Sequence, residues 1–241
     1  MLKEIKGWYM PQWDNHYEPM MKQYGDKWEY QKDTRDYSLG YVKRNRVAID
    51  VGANIGFWAI DLHTKFQSVW CFEPHPENKN AFQQNFLKQT GSQNPSNVYF
   101  QEYAVSKERH QEKLKFYCSP DECGNASLSS HGVETGNSKR TLKSEQLSTY
   151  DVEVTCLDHY FDEFKDQHID YIKVDVQGHE LEVMQGAVKL LHAHDPVLCL
   201  ELPQRNPEEV NYHNEVVNLL SSLGYNRRGN MRKETIFTKW K

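Results

Sequence analysis

The sequence predicts an α/β fold built on a doubly wound, mostly parallel sheet, and two observations support that prediction. Between residues 47 and 202, short apolar runs alternate with segments whose apolar residues recur at helical spacing. The runs are continuously apolar, which is typical of parallel strands that are covered on both faces. Ligands of such sheets bind at the carboxyl ends of the strands, so the residues that follow each strand are the candidates for function.

The first half of this region predicts three strands and two helices. The predicted strands are 47–51, 68–72 and 97–103. A helix is predicted after the first strand because Ile55, Ala59 and Leu62 recur at helical spacing. A second helix is predicted from Pro76, since proline suits the first helical turn.

The second half predicts the remaining elements. The predicted strands are 151–155, 171–175, 197–202, 225–228 and 235–238. Helices are predicted over 157–164, 177–191 and 207–223, and the last two carry apolar residues on one face. Gly224 is well placed to end the last helix.

Two segments fall outside the alternating pattern. Residues 1–46 are polar and aromatic without a clean period, and we predict that they form an N-terminal extension or cap on a domain spanning 47–241. Residues 119–149 are rich in Ser, Thr, Asn and Gly, which predicts a loop insertion. Loops of that length are usually functional.

Composition excludes several classes of protein. The 241 residues include 26% charged and 38% hydrophobic ones, which is typical of a globular chain, and the net charge is -5. No basic cluster stands out, so nucleic acid is not expected as a partner. No apolar run approaches a membrane span or a secretory leader. Five cysteines without a Cys-x-x-Cys pair argue against a disulfide framework and favour the reducing cytoplasm.

Polar residues follow the first two predicted strands. The segment from Asp50 to Gly56 departs from the dinucleotide fingerprint G-x-G-x-x-G, because Asn54 occupies the second glycine position. The Asp50 carboxylate disfavours a pyrophosphate and favours a cationic group. Glu73 is suited to accept hydrogen bonds from both ribose hydroxyls of a nucleoside. The structural alternatives are a loop-bracing role for Asp50 and a solvated charge for Glu73.

Three segments together resemble the FkbM-type methyltransferases, a class I family that depends on S-adenosylmethionine. They are Ala48–Gly56, Phe72-Glu73-Pro74, and Ile172–Glu180 followed by Met184–Ala187. The resemblance covers about residues 47–202, and the joint occurrence of the segments in this order is specific. Many members carry Glu where this chain has Gln177.

The resemblance implies a Rossmann-like sheet of seven strands whose last strand runs antiparallel. It also implies that Asp50, Gly52 and Gly56 line the methionine part of S-adenosylmethionine and that Glu73 holds its ribose. Residues after the third strand would lie near the adenine, with Glu102 as the candidate for its exocyclic amine. The expected cofactor-binding residues are Asp50, Gly52, Ala53, Asn54, Gly56, Glu73, Glu102, Tyr103, Ala104 and Asp175.

Two later strand ends are expected to face the transferred methyl group, because Asp175 ends one strand and Glu201 lies near the end of the other. His179 is the candidate general base, since imidazole titrates near neutrality. Lys173 lies on the same strand face as Asp175 and is expected to pair with a carboxylate or to pack its stem on apolar surface. The candidate catalytic residues are His179, Asp175, Lys173 and Glu201.

Polar residues of the same region also have structural and metal-binding interpretations. A divalent metal held by Asp175, His179 and Glu180 is an alternative, but no complete ligand set is apparent and no metal is expected. Glu180 is alternatively expected to bond backbone amides. Asp158 is expected to cap the short 157–164 helix. A zinc site is also not expected from three residues of unfamiliar spacing, Cys118, Cys123 and His131.

The sequence thus predicts an S-adenosylmethionine-dependent methyltransferase that acts on a hydroxyl of a small-molecule or saccharide acceptor. Nine Trp and Tyr residues fall within the first 41 positions, and such rings stack on sugars or pack a layer onto the sheet. Those expected to face the carboxyl edge are Trp8, Trp13, Trp28 and Tyr30. The alternatives are a nicotinamide-dependent oxidoreductase, which Asn54 disfavours, and a non-catalytic cofactor-binding module.

Overall fold

The computed structural model describes residues 1–24, 29–130, 133–134 and 143–240. In chain order, strands β1 to β13 are Leu2–Ile5, Trp8–Pro11, Val47–Val51, Ser68–Phe72, Val98–Gln101, Tyr103–Val105, Leu114–Cys118, Ala126–Ser127, Ser148–Thr155, Ile169–Val174, Val197–Glu201, Asn226–Met231 and Glu234–Thr238. Helices α1 to α7 are Tyr17–Tyr24, Lys32–Leu39, Phe57–Lys65, Pro76–Thr90, Glu180–Gln185, Val188–His194 and Pro207–Ser222.

The central sheet has seven strands in the order β12-β13-β11-β10-β3-β4-β5. The strands from β11 to β5 pair in parallel, whereas β13 runs antiparallel to both of its neighbours. Every residue of β3 and β11 is buried, which explains their continuous apolar character. The predicted Rossmann-like α/β sheet with an antiparallel last strand is therefore confirmed.

Local sequence signals fix the ends of the long helices. Pro76 occupies the first turn of α4, and the imidazole of His75 accepts a hydrogen bond from the Glu77 amide. At the start of α7, the Asn206 side chain accepts a hydrogen bond from the Glu209 amide at 2.9 Å. Among the described residues, no helix combines the length and apolar character that crossing a membrane requires.

The predicted strand over 97–103 is wrong in one respect, because the chain changes sheets at Glu102. At the end of β5, the Gln101 carbonyl oxygen accepts a hydrogen bond from the amide of Glu73, which follows β4. Tyr103 then pairs with Glu153 in a second sheet of order β6-β9-β7-β8. Residues just after β5 therefore turn away from the central sheet and contribute to the wall beside its carboxyl edge.

The predicted helix over 177–191 is likewise divided into α5 and α6. Gly186 separates them in a tight contact, since a Cβ added there would lie 2.2 Å from the Ser106 carbonyl oxygen. The Asp158 carboxylate accepts hydrogen bonds from the amides of Lys189 and Leu190, both at 3.0 Å. Asp158 thus caps α6 and not its own short 3₁₀ helix over Leu157–Tyr160, which corrects the sequence expectation.

The N-terminal residues dock on the sheet layer through both apolar and polar contacts. Met10, Tyr17 and Met21 are buried in one apolar cluster with residues of β3, α3 and α4. The Tyr9 backbone exchanges two hydrogen bonds with the Asn85 side chain on α4. These contacts bring α1 and the chain that follows it to the carboxyl edge of the sheet.

Candidate cofactor and acceptor site

A cavity of about 500 Å³ opens at the carboxyl edge of the central sheet. It lies between the strand ends, the β6–β8 region and the N-terminal segment. Ten of the residues predicted for the site line it. They are Gly52, Ala53, Asn54, Glu73, Tyr103, Ala104, Lys173, Asp175, His179 and Glu201.

Three predicted site residues lie outside the cavity lining. Asp50 is fully buried behind Lys173. Gly56 begins α3 with a φ of 95°, and the ring of Phe82 occupies the space beside its Cα. The Glu102 carboxylate is 60% exposed and pairs with a lysine of α4, Lys79, so it is held at the surface.

The backbone amides of the loop after β3 already donate hydrogen bonds to β4 and to the residue that follows it. The amides of Gly52 and Ala53 both donate to the Phe72 carbonyl oxygen, at 2.9 and 3.0 Å. The Asn54 amide donates to Glu73 Oε2 at 2.9 Å. A pyrophosphate would require such amides and would face the Glu73 carboxylate. The loop therefore does not offer the anion cradle of a dinucleotide site.

Glu73 lies buried at the end of β4 with its carboxylate on the cavity. It also accepts a hydrogen bond from the His75 amide at 2.8 Å, and burial raises its pKa to about 7. Asn78 lies beside it and was not anticipated from the sequence. Asn78 lines the cavity, and its Oδ1 atom is buried and accepts no hydrogen bond within the described parts of the chain. This end of the cavity thus offers acceptors to hydroxyl or amine donors.

A buried ion pair supports the floor of the site. Lys173 Nζ lies 3.2 Å from Asp50 Oδ1 and donates to the Gly52 carbonyl oxygen at 2.9 Å. Burial favours the neutral amine, but Asp50 and Asp175 outweigh it and raise the pKa of Lys173. Burial also raises the pKa of Asp50. The expected pairing of Lys173 with a carboxylate occurs, and it ties the Gly52 loop to β10.

Three carboxyl groups gather at the far end of the cavity, on consecutive strands. Asp175 follows β10, Glu201 ends β11 and Glu234 begins β13. Burial and the neighbouring Asp175 raise the pKa of Glu201, and burial raises that of Glu234 to about 7. Burial opposes ionisation of Asp175, but Lys173 together with hydrogen bonds from Glu201 and Gln177 outweighs it, so the pKa of Asp175 lies below its usual value.

Gln177 and Lys233 connect these acids. Gln177 Nε2 donates to Asp175 Oδ1 at 2.6 Å and also to Glu201. Lys233 Nζ lies 3.2 Å from Glu201. Glu234 was not predicted as a site residue. An antiparallel last strand begins at the carboxyl edge of the sheet, and this expected topology was the signal that could have placed Glu234 there.

His179 lies on the cavity wall just before α5. Its Nε2 atom is 3.0 Å from Ser106 Oγ, and its Nδ1 atom is 3.6 Å from Glu182. Burial lowers the pKa of His179, so the neutral imidazole that a base requires is favoured near neutrality. Glu180 turns away and accepts hydrogen bonds from the amides of Val176 and Gly178, as the sequence suggested.

The metal and zinc alternatives gain no support from the described residues. Asp175, His179 and Glu180 do not converge, and within the described ranges no group of three or more His, Cys, Asp or Glu has metal-binding geometry. Cys118 and Cys123 are buried free thiols, and His131 lies outside the described residues.

The aromatic residues of the N-terminal segment divide between the cavity and the core. Tyr30 lines the cavity, as does Tyr17, which was not anticipated and accepts a hydrogen bond from Asn54 Nδ2 at 2.9 Å. Trp8 packs on Phe57 with ring centroids 4.6 Å apart, so it faces the core and not the cavity. Trp13 packs beside His75. Trp28 lies outside the described residues.

Comparison with known families decides what kind of domain carries this cavity. The family model described as the methyltransferase FkbM domain matches residues 50–227, which is most of the chain. The chain belongs to the FkbM methyltransferase domain family. The match runs from β3 to the start of β12, so it includes the strand-end loops and α7 but not β13, and it begins after the N-terminal segment.

Individual relatives are more distant. "Methyltransferase 1" of Beauveria bassiana (strain ARSEF 2860) is 25% identical over 147 residues, which cover 57% of each chain. The FkbM methyltransferase structure from Methylobacillus flagellatus KT is 17% identical with a TM-score of 0.50, covering 84% of this chain and 47% of that one. A precorrin-6y C5,15-methyltransferase from Geobacter metallireducens GS-15 is 14% identical with a TM-score of 0.48, covering 90% and 92%. The chain spans about half the length of the first two relatives, and the similarity to the Methylobacillus flagellatus structure supports the fold.

Proposed function

We propose that this chain is an S-adenosylmethionine-dependent methyltransferase that methylates a hydroxyl oxygen of a small, sugar-like acceptor. One observation carries the choice of cofactor. The amides of the loop after β3 are bonded to Phe72 and Glu73, while Glu73 and Asn78 line the cavity with buried acceptor oxygens, of which Asn78 Oδ1 accepts no hydrogen bond within the described residues. That arrangement fits the hydroxyls of a nucleoside and does not fit a pyrophosphate.

The predicted cofactor residues that line the cavity suit different parts of this ligand. Glu73 and Asn78 would hold the ribose, and Tyr103 with Ala104 would lie along the adenine. Gly52 and Ala53 would approach the methionine part, with Asp50 acting through Lys173. When bound, S-adenosylmethionine supplies a methyl group that is activated by its sulfonium charge.

The chain's own residues would orient the acceptor and accept its proton. The Asp175–Glu201 pair contributes hydrogen-bonding groups to a hydroxyl, and the neutral His179 imidazole is suited to take the proton from it. Lys173 acts as a positioning residue, because it binds Asp50 and Gly52 beneath the cavity. Alignment of this kind can contribute about 7–11 kcal/mol to lowering a barrier at best.

The charge of the cavity supports a small acceptor that is not a nucleic acid. Among the described residues, the lysine and arginine residues that line it are Lys173, Arg232 and Lys233. The acidic lining residues are more numerous: Glu29, Asp33, Glu73, Glu122, Asp175, Glu201 and Glu234. An excess of carboxylates disfavours a phosphate backbone. The five cysteines are free thiols, which suits the cytoplasmic location expected from the sequence.

Binding measurements with matched variants test the proposal. We expect S-adenosylhomocysteine to bind more tightly than NAD in calorimetry, and Glu73→Ala to weaken that binding at least tenfold. Glu102→Ala is the control, since that exposed carboxylate lies off the cavity. Tighter binding of NAD, or full affinity in Glu73→Ala, would contradict the cofactor assignment.

Transfer of a labelled methyl group to a panel of saccharides, polyols and phenols separates an enzyme from a binding module. We expect His179→Gln to lower kcat by about 10²–10⁴-fold while leaving S-adenosylhomocysteine affinity unchanged. Cofactor binding without transfer to any acceptor would favour the non-catalytic alternative.

A further inference from the structure

Glu234 is a buried carboxylate at the acidic end of the cavity that lacks a full set of donors. The residue is 4% exposed and lines the cavity. Gln31 Nε2 donates to its Oε1 atom at 2.7 Å. Its Oε2 atom is also buried, yet it accepts no hydrogen bond from any part of the chain that the structure describes. A buried carboxylate oxygen without a donor is costly, which points to a donor supplied by a ligand.

The orientation of this carboxylate is fixed from behind. The Oε1 atom of Gln31 accepts from Trp58 Nε1 at 2.7 Å, and an indole nitrogen can only donate. The amide nitrogen of Gln31 must therefore face Glu234. This hydrogen bond holds the Oε1 atom of Glu234 in place. Because the carboxylate is planar, the position of Oε2 is then fixed as well, and Oε2 does not turn toward Gln31.

The surrounding charge favours a cation over a neutral donor. Asp175 and Glu201 stand on the next two strands, so three carboxyl groups line this end. Lys233 lies 3.2 Å from Glu201. Within the described residues, no cation lies at ion-pair distance from Glu234, and Lys233 and Lys173 lower its pKa only from further away. A positive ligand group would stabilise all three carboxylates at once.

The position of Glu234 separates it from the cofactor end. Glu73 follows β4 and Glu234 begins β13, with β3, β10 and β11 between them. Four strand spacings of ~4.8 Å place the two ends roughly 19 Å apart along the sheet edge. The ribose would lie at the Glu73 end and the methyl group near Asp175, so the Glu234 end remains for the acceptor.

We propose that the recess formed by Asp175, Glu201 and Glu234 binds an ammonium group on the methyl acceptor, with Glu234 Oε2 as its principal acceptor. The substrate class is then an amino alcohol or amino sugar whose hydroxyl lies beside a protonated amine. This inference rests on the proposed function for the identity of the acceptor, but the recess itself is made by the chain alone.

Matched probes test the ammonium preference on the full chain at pH 7.5. The probes are 2-aminocyclohexanol, cyclohexane-1,2-diol and 2-hydroxycyclohexanecarboxylate, titrated by NMR with and without saturating S-adenosylhomocysteine. We expect the amine to bind at least tenfold more tightly than the diol, and the carboxylate to bind most weakly. Equal binding of amine and diol, including no measurable binding of either, would overturn the proposal.

Two variants assign the preference to Glu234. Glu234→Gln is expected to reduce the preference to within twofold while S-adenosylhomocysteine affinity is unchanged. Asp36→Asn, at an exposed carboxylate that does not line the cavity, is expected to retain it. If Glu234→Gln folds poorly, Glu234→Asp is expected to reduce the preference at least threefold. Retained preference in the Glu234 variants would refute the assignment, whereas failure of S-adenosylhomocysteine binding alone would count against the proposed function.

Discussion

Lys173 and Asp50 form the most deeply buried ion pair of the site, and the protein depends on both partners. The Asp50 side chain is 0% exposed and that of Lys173 is 7% exposed. Removing one partner of such a pair leaves an uncompensated charge and costs about 3–5 kcal/mol. We therefore expect Lys173→Met to lower the free energy of unfolding by that amount in urea titrations.

Two comparisons check this explanation. Adding Asp50→Asn to Lys173→Met is expected to restore part of the lost stability, because no carboxylate is then left unpaired. Lys79→Met breaks the exposed pair with Glu102 and is expected to cost less than about 1 kcal/mol. A cost for Lys173→Met no larger than that for Lys79→Met would show that the buried pair does not stabilise the fold.

Under the proposed function, the raised pKa of Glu73 is expected to make cofactor binding depend on pH. Burial raises this pKa to about 7, so at pH 6 roughly one molecule in eleven carries the ionised carboxylate. Ribose hydroxyls donate more strongly to the ionised form. The affinity for S-adenosylhomocysteine is therefore expected to rise about tenfold from pH 6 to pH 8 and to level off above the pKa.

Variants of two glutamates isolate the group responsible. In calorimetry across this pH range, Glu73→Gln is expected to bind weakly and with little slope, whereas Glu102→Gln keeps the wild-type slope. An unchanged slope in Glu73→Gln would assign the titration to another carboxyl group of the cavity.

At the level of elements, the loop after β3 depends on the absence of a side chain at Gly52. Its φ is 77°, and an added Cβ would lie 2.0 Å from the Asp175 carbonyl oxygen. Gly91 has a similar φ of 80° but nothing within 4 Å of that position. Gly91→Ala is expected to lower the free energy of unfolding by about 1–2 kcal/mol, because alanine disfavours this backbone conformation. Gly52→Ala is expected to lower the free energy of unfolding by at least about 2 kcal/mol more, because the backbone at Asp175 must move to make room for the added Cβ.

The comparison of the two glycine variants by urea unfolding measures the steric part directly. We also expect Gly52→Ala to weaken S-adenosylhomocysteine binding, since the displaced loop carries Ala53 and Asn54. Equal costs for the two variants would mean that the β3 loop and β10 separate without penalty.

The same elements show what the sequence could and could not predict. The 47–51 and 68–72 strands were predicted correctly because both faces are buried and the apolar runs are continuous. The division at Gly186 was missed, since it arises from a contact with Ser106 that lies 80 residues earlier in the chain. Asn78 and Glu234 were missed because a helix turn and the start of a strand place them at the cavity, and only the assembled sheet defines those positions.

At the scale of the whole molecule, Asp14 joins the two segments that lie outside the alternating α/β pattern. Its side chain is fully buried in the N-terminal segment. One carboxylate oxygen accepts from the amides of His16 and Tyr17, at 3.2 and 3.1 Å. The other accepts from the Cys123 amide at 2.9 Å, in the segment predicted as a loop insertion. The Asn15 amide also donates to the Asp121 carbonyl oxygen, and His16 Nδ1 lies 3.1 Å from Glu122. Asp14 therefore contributes the buried part of a contact between two walls of the cavity, which Tyr17 and Cys123 both line.

Replacing Asp14 is expected to weaken both walls together. Three amides, two of them in buried hydrogen bonds, lose an acceptor in Asp14→Ala, so we expect a loss of about 2–4 kcal/mol in the free energy of unfolding. Affinity for S-adenosylhomocysteine should fall as well, since Tyr17 lines the cavity and its hydroxyl accepts a hydrogen bond from Asn54 Nδ2. Asp36 is exposed, so Asp36→Ala, measured in parallel, should change the free energy of unfolding by less than about 0.5 kcal/mol. If Asp14→Ala lost stability but bound with full affinity, the N-terminal segment would stabilise the fold without shaping the site.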